Sequence, residues 1–112
     1  MVTVVPRVAT SVVDAGLEYE TVAASQTTQA LGATGAAGDV LQRLVVIPAT
    51  TSPGAVAIKD GDGSAITVFA GGASSVTELK PIVVELGVAS GAGAWQVTTG
   101  ANVSVLAIGN FT

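Results

Sequence analysis

Alternation of side chains with a period of two is the feature that most limits what this chain can fold into. In the stretch DVLQRLVVIPA, one side of the chain carries Leu41, Arg43, Val45 and Ile47, and the other carries Val40, Gln42, Leu44 and Val46. A period of two indicates an extended strand, because helical side chains repeat every ~3.6 residues. Both faces of this strand carry apolar side chains.

Further strand-like runs follow along the chain. They are GAVAIKD, SAITVFA, PIVVELGV, AWQVTT and NVSVLAIG, separated by clusters of glycine, proline, serine and asparagine. Short strands at nearly regular spacing are typical of a sandwich or a barrel. With EYETVAA and QTTQAL included, the total comes to about eight strands, the number in a jelly roll. We therefore predict an all-β, antiparallel β-sandwich that is jelly-roll-like.

The alternating runs also predict the interior. We expect the core to include Leu44, Val46, Ile58, Val68, Val84, Leu86, Val97 and Val105. No stretch has a convincing helical face. The run SSVTELK has the composition for one helical turn between strands, with Ser74 or Ser75 as its cap.

Residues 1–24 are less regular and are predicted to form an N-terminal arm or outer strands, ahead of a sandwich domain at residues 25–112. Pro6 has no N–H and is confined to strand ends, edges and bulges. An arm of this kind can add to the edge of a neighbour's sheet, with Val2, Val4 and Val5 at the interface. The alternative is that residues 1–24 include the first strand of the same domain.

Composition favours an assembly of subunits. Hydrophobic residues make up 49% of the 112 residues and charged residues 11%, whereas roughly 25% charged residues is typical of soluble domains. So little charge leaves apolar surface exposed on a lone subunit, and obligate oligomers bury such surface between subunits. We therefore expect a homo-oligomer.

The charge pattern excludes several partners. The net charge is −4 with four lysines and arginines in total, whereas binding to nucleic acid needs clustered cations. The apolar runs are far shorter than the ~20 residues that a membrane-spanning helix needs. The first ten residues lack the charged start of a signal peptide. Neither nucleic acid nor membrane is an expected partner, and no export is expected.

The residue inventory argues against catalysis. The chain has no histidine and no cysteine, which removes the common nucleophile systems and zinc sites. Glu18 and Glu20 lie on one side of an extended strand, and a carboxylate pair can hydrolyse a glycoside across a cleft. Such enzymes usually need aromatic platforms and a larger scaffold. We interpret the pair as a solvated strand face and expect no enzyme and no cofactor.

The stretch IKDGDGSAITVFAGG places Asp60 and Asp62 between glycines, as a metal loop or a phosphate cradle would. A calcium loop of the EF-hand type needs further ligands and a glutamate at its twelfth position, and a phosphate cradle needs a following helix. Asp-Gly is a strong hairpin signal. Residues 60–64 are therefore predicted to be a turn that needs no metal, with a weak surface cation site as the alternative.

Trp95 has two interpretations. A lone tryptophan on a strand usually anchors a core or an interface, since its ring buries ~150–250 Å². Small side chains around it and along residues 102–108 suit a subunit contact. Stacking on a sugar is the alternative, and it requires an exposed ring.

The runs PATTSPGAVAIKDGDGSAITVFAGG and PIVVELGVASGAGAWQVTTGANVSVLAIGNFT resemble small virion structural proteins of tailed bacteriophages and prophages. The resemblance covers residues 39–112 and consists of turns and strand residues. Such proteins are often jelly-roll-like, commonly assemble as trimers, and serve as head decoration (cement) proteins or as neck and tail components.

The resemblance implies a decoration protein on the outer surface of the capsid, made in the host cytoplasm. Its partners would be the major capsid protein and itself, as a homotrimer. A neck or tail structural protein is the first alternative. The second, from a different class, is a carbohydrate-binding module that attaches the virion to host glycans.

Overall fold

The computed structural model describes residues 16–112, which form two antiparallel sheets of four strands each. The strands are β1 Glu18–Val22, β2 Gln29–Ala30, β3 Val40–Pro48, β4 Val56–Asp60, β5 Ile66–Phe69, β6 Ile82–Ala89, β7 Trp95–Thr99 and β8 Val103–Asn110. Sheet A has the order β1-β8-β3-β6, and sheet B has the order β2-β7-β4-β5. The predicted all-β, antiparallel sandwich is confirmed. None of the residues described forms a helix that is long and apolar enough to cross a membrane.

The chain alternates between the sheets. Every connection passes from one sheet to the other except the one between β4 and β5, which are neighbours in sheet B. Strands that pair are consequently distant in sequence, as in the β1–β8 and β4–β7 ladders. The first and last strands lie side by side, so the two ends of the described chain meet in sheet A.

One core lies between the sheets. Alternate residues of the central strands point inward, as in β8, where Val103, Val105 and Ala107 are buried. In β3 the alternation shifts by one residue between Leu41 and Leu44, where the register changes. The predicted core residues that are buried are Leu44, Val46, Ile58, Val97 and Val105. The other three, Val68, Val84 and Leu86, pack against the core and are half-buried, because they lie on the edge strands β5 and β6. The predicted interior is therefore confirmed.

A bulge interrupts the ladder between β3 and β6. Leu41 pairs with Val88 and Arg43 pairs with Glu85, so β6 contains one more residue than β3 over this interval. Gly87 has a φ of 66°, in the left-handed region that glycine enters without a steric penalty. The bulge divides β6 into a regular first part and an irregular end.

The segment predicted as an arm or outer strands is described only from residue 16. Residues 18–22 of it form β1, an edge strand of sheet A, and Val22 at its end is fully buried. Val2, Val4 and Val5 lie outside the described residues. The arm and the boundary at residue 24 therefore stay predictions.

The helical turn allowed for residues 74–80 does not form. Residues 72–75 make a tight turn in which the Ser75 N–H donates to the Gly72 carbonyl at 3.1 Å. Ser74 has a φ of 54°, which is left-handed and incompatible with a right-handed helical turn. Its N–H donates to Ser52 Oγ at 2.9 Å, so a contact distant in sequence holds this turn.

Candidate interaction surface

The outer surface of sheet A is apolar over most of its width. Strand register places its outward side chains in two rows, Tyr19–Ile108–Arg43–Glu85 and Thr21–Leu106–Val45–Val83. Ile47 continues the surface along β3. Tyr19 is 70% exposed and Val83 is 55% exposed at its two margins. These nine residues are called the A face below.

A groove lies at the β1 side of the A face. It has a volume of ≈ 300 Å³ and is lined by Leu17, Glu18, Tyr19, Leu106 and Ile108. Four of these five residues are apolar or aromatic, so the groove suits an apolar side chain better than a charged one.

The charges on the A face neutralise each other. Arg43 Nε lies 3.1 Å from a carboxylate oxygen of Glu85 on the neighbouring strand, and the other oxygen is at 3.2 Å. The two residues are directly opposite in the ladder. A partner that covers the A face therefore meets a neutral pair and avoids the cost of burying an isolated charge.

The outer surface of sheet B differs in chemistry. The side chains that point outward from β4, β5 and β7 are small or polar and include Ala57, Lys59, Thr67, Gln96 and Thr98. Thr98 Oγ1 accepts the Thr28 N–H at 2.9 Å, and water satisfies the other polar groups, so this surface gains little from being covered. The A face is the better candidate for contact with another protein.

A second depression, of ≈ 430 Å³, lies on the connection between β5 and β6, within residues 75–82. Its two charged residues, Glu78 and Lys80, are paired with each other at 2.8 Å and both are well exposed. An exposed pair of this kind contributes little energy. The depression is larger than the groove, but its chemistry does not indicate a ligand.

Trp95 is a core residue of the single subunit. It is 4% exposed, and its indole N–H donates to the backbone carbonyl of Asp39 at 3.0 Å. This satisfies the only polar atom of the side chain. Sugar stacking needs an exposed ring, which Trp95 does not offer. The predicted place of Trp95 at a subunit interface stays a prediction.

Glu18 and Glu20 are not a simple solvated face. Both share the inward side of β1 with the buried Val22, because their ladder partners are the buried Gly109 and Ala107. Glu18 accepts a hydrogen bond from the Phe111 N–H at 2.8 Å. Glu20 accepts one from the Gly32 N–H at 2.8 Å and one from the Gln29 side chain at 3.0 Å. These carboxylates hold loops in place.

Residues 60–64 form the predicted turn. The Gly63 N–H donates to the Asp60 carbonyl at 2.9 Å, and Gly61 has a left-handed φ of 57°. The Asp60 carboxylate accepts the backbone N–H groups of Gly91 and Ala92 at 2.9–3.0 Å. These hydrogen bonds from Ala92 and Gly91 lower the pKa of Asp60. Among residues 16–112 no cluster of three or more carboxylates is arranged to hold a metal.

Asp39 plays a similar part near the end of β8. It is 5% exposed and accepts hydrogen bonds from the N–H of Ala36, the N–H of Thr112 and the Thr112 hydroxyl. Burial by itself raises the pKa of Asp39, but these hydrogen bonds outweigh burial and the net pKa is lowered. Glu18, Glu20, Asp39 and Asp60 are called the carboxylate end below.

The strands of the A face were predictable from the sequence, but the face itself was not. The outward residues Tyr19, Leu106, Ile108 and Val83 were not among the predicted interface residues. The available signal was apolar character on both sides of a strand, as in VSVLAIG, where Leu106 and Ile108 alternate with buried residues. Their meeting with Tyr19 depends on the β1–β8 register, which sequence alone does not provide.

Comparisons of this chain with protein-family models, with curated proteins and with solved structures found no match.

Proposed function

We propose that this chain is a non-enzymatic structural protein of a phage virion, which decorates the outer surface of the head and stabilises the assembled shell. The major capsid protein is its proposed partner, and the chain acts as a homotrimer. The A face is the observation that carries the proposal. The resemblance of residues 39–112 to virion structural proteins supplies the class of particle.

The chemistry of the A face supports protein binding. Large exposed apolar patches on a subunit usually mark sites of protein or membrane contact. Tyr19 offers an aromatic ring with a polar tip, the residue type enriched in interface hot spots. The neutral Arg43–Glu85 pair adds geometric specificity without leaving a charge unpaired.

The fold supports the same proposal. Its strand order, β1-β8-β3-β6 beside β2-β7-β4-β5, supports a jelly-roll-like arrangement, and jelly rolls are common in viral capsid proteins. Jelly rolls also occur in lectins and enzymes, so the surface, rather than the fold, must carry the functional argument.

The carboxylates support a role without catalysis. Glu18, Glu20, Asp39 and Asp60 each accept backbone N–H groups, so their oxygens are engaged in holding loops. A general acid or base needs a carboxylate within reach of a substrate. The side chains that a glycosidase would require are thus occupied with structure.

The proposed mechanism is stabilisation by mass action. A protein that binds only the assembled shell favours that state by its binding free energy, about 2.7 kcal/mol per site at ~100 times its Kd. A trimer seated on a threefold or quasi-threefold junction engages several capsid subunits at once, which raises its effective affinity.

The proposal is tested by binding the purified protein to phage heads that lack it. We expect the wild-type protein to sediment with the heads, and Leu106→Lys on the A face to lose binding at least ~30-fold, as hot-spot substitutions do. Thr67→Lys, on the outer surface of sheet B, is the matched control and keeps binding. Circular dichroism checks that both variants are folded.

Three results would contradict the proposal. The first is that the wild-type protein fails to bind heads. The second is that Thr67→Lys and Leu106→Lys bind equally well. The third is that the protein binds glycans on an array. Binding to purified necks or tails, but not to heads, would support the neck or tail alternative instead.

A further inference from the structure

The longest free strand edge in the part of the chain that the structure describes belongs to β6. The edge strands are β1 and β6 in sheet A and β2 and β5 in sheet B. β6 has eight residues, whereas β1 has five, β5 has four and β2 has two. β6 pairs only with β3, and within residues 16–112 no loop donates to or accepts from the other side of its backbone.

Little protects this edge against pairing with another strand. Natural edge strands are usually short, charged, interrupted by proline or covered. β6 contains one charged residue, Glu85, and its carboxylate is turned to Arg43 on β3. The bulge at Gly87 lies near the far end, so residues 82–85 form a regular, open edge.

The core is incompletely covered beside the same edge. Ile82, Val84 and Leu86 point inward and pack against the core, but they are only half-buried. The strand at the corresponding edge of sheet B is β5, whose Ile66 is 52% exposed. One further strand beside β6 would pair its backbone and cover these side chains.

Residues 2–5 have the properties of that strand. Their sequence, VTVV, consists of β-branched residues, and Pro6 follows directly. Since proline cannot donate to a ladder, it suits the end of a short added strand. The step from Pro6 to Gly16, where the described chain begins, spans at most about 33–36 Å.

The segment departs from the edge of sheet A that is opposite to β6 of its own chain. Gly16 precedes β1, and β1 and β6 are the opposite edges of sheet A. A neighbour placed head to tail therefore brings its β6 next to the β1 edge from which the segment departs. Such a contact joins different surfaces of two copies, and it closes into a ring when the rotation allows.

We propose that residues 2–5 of each copy pair with β6 of the next copy and so link the subunits into a closed ring. The inference rests on the proposed function in taking a homo-oligomer as the active form. It names the two surfaces that build that oligomer, which neither the A face nor the fold specifies.

Cysteine cross-linking tests the contact directly, because the chain has no cysteine of its own. Val83→Cys is combined in turn with Val2→Cys, Val4→Cys and Val5→Cys, and each protein is oxidised. We expect at least one pair to give dimer and trimer bands on a non-reducing gel. Val4→Cys with Lys59→Cys, on the outer surface of sheet B, is the control and stays monomeric on the gel.

Two cross-linking results would overturn the inference. A bond within one chain, seen as loss of free thiols without a gain in mass, shows that the segment occupies its own β6. Absence of cross-linking in all three pairs shows that the segment does not reach β6 at all.

Assembly is measured separately by analytical ultracentrifugation. Val83 is exposed, so Val83→Lys leaves the subunit folded, and we expect its mass to fall threefold to the 10.9 kDa of the monomer. Deletion of residues 2–16 has the same expected effect. Thr67→Lys, exposed on the outer side of the β5 edge, keeps the oligomer.

An unchanged mass in Val83→Lys and in the deletion overturns the inference but leaves the proposed function standing. Leu106→Lys tests the proposed function separately from assembly, because Leu106 lies on β8, an inner strand of sheet A, and not on the β6 edge. We expect it to remain a trimer and to fail in binding heads, so the two proposals are separable.

Discussion

The A face and the carboxylate end differ in how their side chains are satisfied. At the carboxylate end, Glu18, Asp39 and Asp60 are hydrogen-bonded to backbone N–H groups of loops distant in sequence. On the A face, Tyr19 and Val83 are exposed and contact little of their own chain. The carboxylates of the carboxylate end thus serve the protein's own fold, whereas the apolar side chains of the A face are open to contact with another molecule.

This difference reverses the usual expectation from residue type. Carboxylates in glycine-rich loops suggest chemistry, and valines in strands suggest a core. Here the loop carboxylates are structural, because loop N–H groups must find acceptors when they are removed from water. The outward valines and leucines are the functional candidates, because burial against a partner gains ~25 cal/mol per Å² of apolar surface.

The comparison predicts that damage at the carboxylate end lowers stability and leaves assembly intact. The largest expected effect is that of Gly61→Val. Gly61 has a φ of 57°, and a Cβ there would lie 2.6 Å from the Ala92 carbonyl carbon and 2.7 Å from the Gly93 nitrogen. We expect a loss of at least about 1–3 kcal/mol in the free energy of unfolding, measured with denaturant.

Gly63→Val is the matched control, since Gly63 is not in the left-handed region and its Cβ would meet only the Asp60 carbonyl oxygen at 3.1 Å. We expect a smaller loss. A chelator is expected to leave the melting temperature of the wild-type protein unchanged. A calcium-dependent rise in that temperature, or equal losses for the two valines, would show that the turn is held differently.

A smaller effect is expected in the pH dependence of stability. Hydrogen bonds from Ala92 and Gly91 lower the pKa of Asp60 below its ordinary value of 3.8. The unfolded chain therefore binds a proton more readily than the folded chain as the pH falls below about 4, and stability is lost there. Asp39 has a lowered pKa too and acts with the same sign.

Asp60→Asn should therefore be less stable than wild type at pH 7 and lose less stability between pH 5 and pH 2. Asp62→Asn is the control, because Asp62 is exposed on the same turn and accepts no hydrogen bond from residues 16–112. Parallel curves of stability against pH for wild type and Asp60→Asn would refute this role. Both variants should still assemble.

The strands and the core were predictable because they depend on local alternation. Val97 and Val105 each lie in a run whose alternation shows the inward side without knowledge of the partner strand. The turn at residues 60–64 was predictable for a similar reason, since Asp-Gly carries its own conformational preference.

The A face, the roles of the carboxylates and the turn at Ser74 were not predictable, because they depend on contacts between residues distant in sequence. The sequence does not show which side of β1 faces the core. Only the pairing of β1 with β8 turns Glu20 inward and Tyr19 outward. The contact of Asp60 with Gly91 crosses 31 residues and leaves no sign in the turn itself. The same holds for Ser74, whose contact with Ser52 replaces the helical turn that its local sequence allowed.

The central claim is that the A face is where this protein meets the shell, and a reconstruction of the intact virion tests it most directly. We predict copies spread over the head at junctions of major capsid subunits, with Tyr19, Leu106 and Ile108 against the capsid. Copies confined to a single vertex or to the tail, or copies with the A face turned to solvent and the outer surface of sheet B on the capsid, would contradict it.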